Sequence, residues 1–397
     1  MDVAFVTGRL NYEASGVTRI MCDLANALSV HGACVTTYAA LHAGGPKPPV
    51  HLLKPPGRFI AERGYWLGGL SMSPKLRNVL FDAVRNVDIV HAHSMWMLPT
   101  HYAASAARRF KKPVMLTAHG ALEPWAIARS RWKKRPVAWW WQDRDLRDAA
   151  CIQVNTPAEI SGVRAYGLAN PIAVLPNGVD LAPFDSTPEG GGFLEYYPEL
   201  RGKRIVLFMS RLHEKKGLSH LIDAWQPVSR DHRDWHLVLA GPDDGFEQDA
   251  RQRVGDLGLS KSITFTGALQ GARKLQAFAA AEAFALPSFS EGFSMAILEA
   301  MAASLPVLLT PGCNFEEVSK CGAGIEVDPN AKDTERGLRN LIEMSNAQRE
   351  DMGRRGRNLI EQSYSWDAIA RQFLSLYRWL ISGGSAPSFV RFSEGAK

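Results

Sequence analysis

Five side chains in this 397-residue sequence are of types, and in settings, that suit a ligand rich in phosphate and hydroxyl oxygens. Glu291 and Glu299 lie in the stretch Phe284 to Pro306, FALPSFSEGFSMAILEAMAASLP, Glu291 in a glycine-bearing turn and Glu299 about two helical turns later. Glu299 sits among Ile297, Leu298, Ala300 and Met301, so burying it is costly unless it is hydrogen-bonded, and ligand hydroxyls would meet that need. Arg211 and Lys216 bracket LHEK around a predicted strand-to-helix turn. An arginine fork and a lysine point charge there can converge on one diphosphate. His119 follows a predicted strand and precedes Gly120, where an imidazole can pass a proton or hydrogen-bond a sugar or phosphate oxygen. Each of the five also has an ordinary reading. The glutamates could be surface and turn charges, the cations solvated, and the histidine satisfied by a carbonyl.

These positions depend on a repeated alternation of strand and helix. Short apolar runs predict parallel strands at Val3–Thr7, Ala33–Tyr38, Val87–Ala92, Pro113–Thr117, Cys151–Asn155 and Ile172–Leu175. The pattern restarts at Arg204–Met209 and continues through Trp235–Ala240, Ile263–Gly267, Ala283–Leu286, Pro306–Leu309 and Ala323–Val327. Carboxyl ends of parallel strands are where open α/β sheets bind ligands, and the helix N-terminus after them favours anions. The loop Gly8 to Gly16, GRLNYEASG, is not a dinucleotide fingerprint, although its glycines would let backbone N–H groups approach a phosphate. His91 and His93 flank another strand end and rank below His119. Gly44 to Gly69 is rich in Gly, Pro and basic residues and is expected to be a long irregular loop facing an acceptor.

The length favours two domains. The expected division is a Rossmann-like domain over 1–185, a linker over 186–202 carrying Gly190, Gly191 and Gly192, and a second Rossmann-like domain over 203–363. A helix over 364–381 then crosses back to the first domain, and 382–397 forms a disordered tail. The expected fold class is α/β, with both sets of strand ends facing a shared cleft.

The net charge of +6 is unevenly spread: residues 1–180 carry 21 Lys/Arg against 12 Asp/Glu, and the remainder 25 against 28. Much of the excess lies in Arg129, Arg131, Lys133, Lys134, Arg135, Arg144 and Arg147, interleaved with Trp125, Trp132, Trp139, Trp140 and Trp141. That mixture suits an anionic membrane surface or a phosphate-bearing acceptor; the alternative is a solvated helix whose tryptophans pack inward. No readout motif for nucleic acid accompanies it, so nucleic acid is not an expected partner. The five cysteines are scattered without CxxC or Cys/His clustering, which indicates no structural metal or disulfide framework and favours a reducing cytosol. The opening MDVAFVTGRL runs directly into strand-like sequence, an expectation against a leader peptide, and no uncharged apolar stretch is long enough to span a bilayer.

Taken in order, SRLHEKKGL, LVLAGPDD, ITFTGAL and the E-x7-E pattern in PSFSEGFSMAILEA resemble the retaining glycosyltransferases of family 4, over roughly Val3 to Trp379. The resemblance implies the GT-B architecture of two Rossmann-like domains and transfer of a hexosyl group from a nucleotide diphosphate sugar, UDP-hexose first and GDP-mannose next. It implies that Glu299 holds the ribose hydroxyls and that Glu291 lies near the donor sugar, with backbone amides of Gly292, Phe293 and Ser294 close by. Arg211 and Lys216 become the diphosphate pair, Gly16 the glycine that admits a phosphate, and His119 the histidine beside the reacting sugar. Gly267 to Leu269 pass the base. No tightly bound cofactor or metal is implied, because cations and helix termini neutralise the leaving diphosphate. The sequence departs from the family pattern in having Ser15 before Gly16, and Ser294 where glycine is frequent, which adds a hydroxyl near the expected sugar site. The segment His119 to Arg147 is similar to members that build bacterial exopolysaccharide, capsule or O-antigen. Their acceptor is often a polyprenyl-diphosphate-linked sugar at the cytoplasmic face of the inner membrane. A phosphorylase would need a pyridoxal-binding lysine that the sequence does not offer. A non-catalytic GT-B glycan-binding or scaffold protein is the competing reading.

Overall fold

The structure, a computed structural model, describes residues 1–9, 16–42, 52–55, 57–65, 69–129, 131–186 and 191–393. It divides into two compact units, Met1–Gly178 with Trp366–Lys397, and Val179–Ser365.

The first unit is built on an eight-stranded sheet. Its strands are β1 (Asp2–Arg9), β2 (Cys34–His42), β3 (Arg58–Gly64), β4 (Ile89–Ala92), β5 (Val114–Thr117), β6 (Cys151–Val154) and β7 (Ile172–Val174), with β14 (Val390–Arg391) closing one edge. The second unit holds β8 (Arg204–Met209), β9 (Trp235–Ala240), β10 (Ile263–Gly267), β11 (Ala283–Leu286), β12 (Val307–Leu309) and β13 (Gly324–Glu326). The spatial orders are β14-β7-β6-β5-β4-β1-β2-β3 and β10-β9-β8-β11-β12-β13, and every pairing is parallel except β14 with β7. In both sheets the order reverses about the first strand of the unit, between β1 and β4 and between β8 and β11. That is the doubly wound topology, and its switch points are where ligands bind. The apolar runs explain why these strands form: β4, β5, β6, β9 and β11 are buried at every residue, as strands covered on both faces must be.

Three expectations are corrected. Within Gly44 to Gly69, residues 58–64 form β3, which pairs with β2 along its whole length; residues 43–51, 56 and 66–68 lie outside the described residues. Mixed charges hid an edge strand whose residues are mostly half-exposed. The linker expected over 186–202 is displaced: the units divide at Gly178/Val179 and Ser365/Trp366. Residues 187–190 lie outside the described residues, and the helix Gly191–Tyr196 follows with Phe193 and Leu200 buried in the second core. The tail expected to be disordered instead supplies β14, held by burial of Val390 and by its ladder with Ile172 and Ala173; residues 394–397 lie outside the described residues. The helix Trp366–Ser382 packs on Gly16–Val30 within the first unit, burying Ile369, Phe373 and Tyr377.

Candidate functional site

In the second unit, the end of β8 and the end of β11 are drawn together by one glycine. After β8 the chain makes a single 3-10 turn, Glu214–Lys216, started by His213, whose Nδ1 accepts the Lys215 N–H at 3.0 Å. Gly217 then adopts φ +71°, and a Cβ there would lie 2.0 Å from the Pro287 carbonyl oxygen. Only glycine satisfies both conditions. The approach sets Lys216 against the loop after β11, where its Nζ donates to both Glu291 oxygens at 2.7 Å. Ser288 Oγ donates to the same carboxylate at 2.6 Å. The two charged side chains are 12% and 8% exposed, so this ion pair is nearly cut off from water. An ammonium has three donors, and Glu291 takes two of them, leaving one for another anion.

The loop carrying Glu291 is fixed on both flanks. Phe289 N–H donates to the Lys215 carbonyl at 2.9 Å, Glu291 N–H to the Gly312 carbonyl at 2.8 Å, and Asn314 Nδ2 to the Glu291 carbonyl at 2.7 Å. Ser294 is the N-cap of the helix Met295–Ala302, its hydroxyl accepting the Ile297 N–H at 3.4 Å. The hydroxyl expected near the sugar also starts this helix, accepting an N–H there while its own O–H can still donate. Phe293 turns its ring toward Phe315 and Tyr364. Gly292 is exposed, and Gly267 ends β10 at φ +69° with Leu269 partly buried against the core.

Glu299 is 18% exposed and is answered by Lys274 of the helix Gly271–Ala280, with Nζ to Oε1 at 2.5 Å. The need for a hydrogen-bond partner, inferred from the sequence, is met here by a lysine that the spacing did not reveal. Arg211, 62% exposed, pairs with Asp244. In this structure Arg211 and Lys216 each hold a carboxylate, in two separate ion pairs. The neighbouring Asp243 accepts the N–H groups of Gly245, Phe246 and Glu247, which lowers its pKa. Among the described residues, no group of three or more His, Cys, Asp or Glu side chains is placed to hold a metal ion. A cavity of about 520 Å³ lined by Asp180, Ala182, Pro183, Ser186, Ala272, Leu275 and Gln276 contains none of the predicted site residues.

In the first unit, Gly16 opens the helix Gly16–Val30, and the loop before it, residues 10–15, lies outside the described residues. His119 and Gly120 follow β5 with φ values of +47° and +72°, two consecutive residues in the left-handed region. His119 Nε2 is buried and has no hydrogen-bond partner among the described residues. His93 stacks on His119 with ring centroids 5.9 Å apart, and His91 lies 3.8 Å from His93. Both ring nitrogens of His93 are also buried without a partner among the described residues. His91 is corrected to a core residue: it lies within β4, bonded to Tyr377 Oη at 2.7 Å and Thr117 Oγ1 at 2.6 Å. Burial lowers His119 to about 4 and holds His91 and His93 well below 6.5, so the whole column is neutral at pH 7. A neutral His119 has one donor nitrogen and one acceptor nitrogen.

The basic, tryptophan-rich segment is the helix Arg131–Val137, a π-helical turn Ala138–Gln142 and the helix Asp143–Asp148. The wide turn sends Trp139 and Trp140 outward, 86% and 75% exposed, while Trp141 and Gln142 are buried and Gln142 Oε1 accepts the Trp96 N–H at 2.7 Å. Trp132 and Trp125 are exposed as well, at 74% and 61%. Among the described residues, no helix is long and apolar enough to cross a membrane.

Residues 14–183 match the family model described as Glycosyltransferase Family 4, and residues 197–359 match Glycosyl transferases group 1. Between them the two matches cover 333 of the 397 residues. The phosphatidyl-myo-inositol mannosyltransferase of Mycobacterium leprae is 31% identical over 215 residues, 53% of this chain and 54% of that protein. The chain thus spans about half the length of that relative. The alpha-maltose-1-phosphate synthase of Mycolicibacterium smegmatis is 27% identical over 355 residues, 83% of this chain and 90% of that protein. Among solved structures, Anabaena HepE in complex with UDP and glucose superposes with a TM-score of 0.70 at 19% identity, covering 94% of this chain and 98% of that one.

Proposed function

We propose that the chain is a GT-B glycosyltransferase that moves a hexosyl group, with retention of anomeric configuration, from a nucleotide diphosphate sugar to a hydroxyl of a glycan or lipid-linked oligosaccharide. The observation that carries this reading is the desolvated Lys216–Glu291 pair at the β8/β11 switch point, bonded further by Ser288. There a cation for phosphate and a carboxylate for sugar hydroxyls are fixed side by side. The remaining donor of Lys216, with Arg211, stabilises charge on the leaving diphosphate. Glu299 takes the ribose hydroxyls, Gly267 to Leu269 pass the base, and the amides after Glu291 take the sugar. The acceptor hydroxyl enters on the face that the phosphate leaves, and the phosphate takes its proton. Glu291, already held by Lys216 and Ser288, serves as a hydrogen-bonding group and not as a nucleophile. His119, neutral at working pH, hydrogen-bonds the reacting sugar. UDP-hexose is the favoured donor, supported by the UDP and glucose in the Anabaena complex, and GDP-mannose is next, supported by the mannosyltransferase relative.

The acceptor we propose is a polyprenyl-diphosphate-linked sugar in cell-surface polysaccharide synthesis, met at the cytoplasmic face of the inner membrane. Four exposed tryptophans among basic side chains support it. Calorimetry of the purified protein against a panel of nucleotide sugars, with E299A and R211A alongside, tests the donor site. Selective binding that weakens in both variants names the donor, whereas no binding of any nucleotide sugar would leave a non-catalytic role as the better reading.

A further inference from the structure

A histidine at φ +47° followed by a glycine at +72° is held in a sparsely populated backbone conformation, which persists only where the surroundings over-determine it. The turn's own hydrogen bonds are few: Ala121 N–H to the Ala118 carbonyl at 2.9 Å and Glu123 N–H to the Gly120 carbonyl at 3.2 Å. The rest of the support comes from the next strand-to-helix connection. β5 and β6 are paired neighbours, and Ala118 N–H donates to the Gln153 carbonyl at 3.2 Å, so the two strand ends lie side by side. Directly after β6, Glu159 is only 6% exposed, and its Oε1 accepts the Asn155 N–H at 3.0 Å and the Thr156 N–H at 3.2 Å. One turn along the helix Glu159–Ala165, Gly162 lies so close to the His119 turn that a Cβ would sit 3.1 Å from the Leu122 carbonyl oxygen and 3.3 Å from Glu123 Oε1.

We propose that Glu159 and Gly162 are positioning residues for His119: the carboxylate pins the start of the helix that carries Gly162, and the bare glycine surface of that helix seats the turn that carries His119. Neither residue touches the reacting groups. A buried carboxylate that accepts two backbone N–H groups directly after β6 fixes the start of its helix against that strand end, and with it the position of Gly162. The missing side chain at Gly162 fixes the depth to which the turn settles. Burial raises the Glu159 carboxyl pKa, the Asn155 and Thr156 amides act against that rise, and the nearby Glu123 carboxylate adds to it. The inference rests on the role proposed for His119 in transfer.

The test uses the full chain with E159Q, E159A and G162A, each alone and combined with H119A. Turnover, KM for the donor, urea stability and the imidazole NMR signals are measured. G162A should stay folded, lower kcat by about tenfold through displacement of the ring, and leave KM for the donor within about twofold. E159Q keeps an acceptor oxygen and should lose less than E159A. In the H119A background none of the three should lower kcat further. The His119 ring signals should move in G162A while those of His236, in the other unit, stay fixed. Equal losses of kcat with and without His119, or unmoved His119 signals in both G162A and E159Q, would overturn the proposal. The NMR arm needs no substrate, so failure of the seat is distinguishable from failure of the transferase reading.

Discussion

Lys216 and Glu291 are so nearly removed from water that replacing either one strands the other. Removing one partner of a buried pair costs about 3–5 kcal/mol, because the remaining charge loses its counter-charge without regaining water. K216A and E291A should therefore each lower urea stability by that order, and the double variant should lose less than the sum, since it leaves neither charge stranded. Lys274 and Glu299 form the contrasting pair. Lys274 is 30% exposed, and its ammonium can return to solvent when the carboxylate is removed. E299A is expected to cost about 1 kcal/mol or less in stability, while donor affinity falls roughly 10- to 100-fold, the equivalent of about 1.5–3 kcal/mol for hydrogen bonds to a charged group. Urea melts and calorimetry on the same samples separate the two effects. Equal stability losses in E299A and E291A would contradict the burial argument. At this scale the carboxylates were legible in the sequence because Glu299 sits among apolar residues that make a charge conspicuous and Glu291 lies in a glycine-bearing turn directly after a predicted strand. Their lysine partners were not, since Lys216 meets Glu291 across 75 residues and Lys274 meets Glu299 across 25. Glu159 was missed for a different reason. Its local signal, Thr156 three residues before it, is that of an ordinary helix start, and the closeness of its helix to the His119 turn depends on the pairing of β5 with β6.

Two glycines at the proposed donor site, Gly217 and Gly267, make demands that differ, and the difference is measurable. At Gly217 a positive φ coincides with a Cβ position 2.0 Å from backbone, which cannot swing aside as a side chain tip can. At Gly267 the φ is equally positive but nothing lies within 4 Å of the Cβ position. G267A should therefore cost only the left-handed strain of about 1–2 kcal/mol. G217A should cost more than that and also drive the turn bearing Lys216 away from the end of β11, so nucleotide-sugar binding should fall together with stability. Calorimetry showing wild-type affinity in a folded G217A protein would sink the claim that this close approach positions Lys216. The strands around these glycines were legible because a short apolar run bounded by turn residues, in a chain that alternates strand with helix, has the length and composition of a buried strand. β3 was not, because RFIAERG alternates no clean apolar face and gains its strand only by pairing with β2. The π-helical turn was also invisible. It depends on Trp141 and Gln142 both finding burial after Val137 is already buried, which a regular helical period does not foresee.

Across the whole molecule the two cores were legible because the alternation visibly restarts at Arg204, whereas the division between them depends on a contact far apart in sequence. Val179 N–H meets the Tyr364 carbonyl at 2.9 Å, which sets the two chain crossings side by side. Both units also bury histidines in the neutral form: His91, His93 and His119 in the first, and His236, lowered to about 4 by burial, in the second. Unfolded, each takes a proton near pH 6.5; folded, each refuses it until well below that. Between those values the unfolded state binds more protons, so stability should be flat above pH 7 and fall as pH drops from about 6.5 toward 4, by roughly 1.4 kcal/mol per pH unit for each histidine. Urea melts across that range measure it, and equal stability at pH 7 and pH 5 would show that these rings are not buried neutral. A membrane-facing role makes a separate demand on the first unit. Its exposed indoles would insert at the headgroup level while Arg131, Lys133 and Arg135 face anionic lipid, each contributing about 1 kcal/mol near the surface; Arg144 and Arg147 are paired with Asp148 and Asp143 on their own helix. Sedimentation with phosphatidylglycerol vesicles should capture the wild-type protein at low salt and release it as ionic strength rises. W139A/W140A should weaken capture about tenfold with little change in the urea midpoint, because both rings are mostly exposed and only Trp140 rests against Trp141. Capture that is insensitive both to salt and to these two tryptophans would mean that this face serves something other than a bilayer.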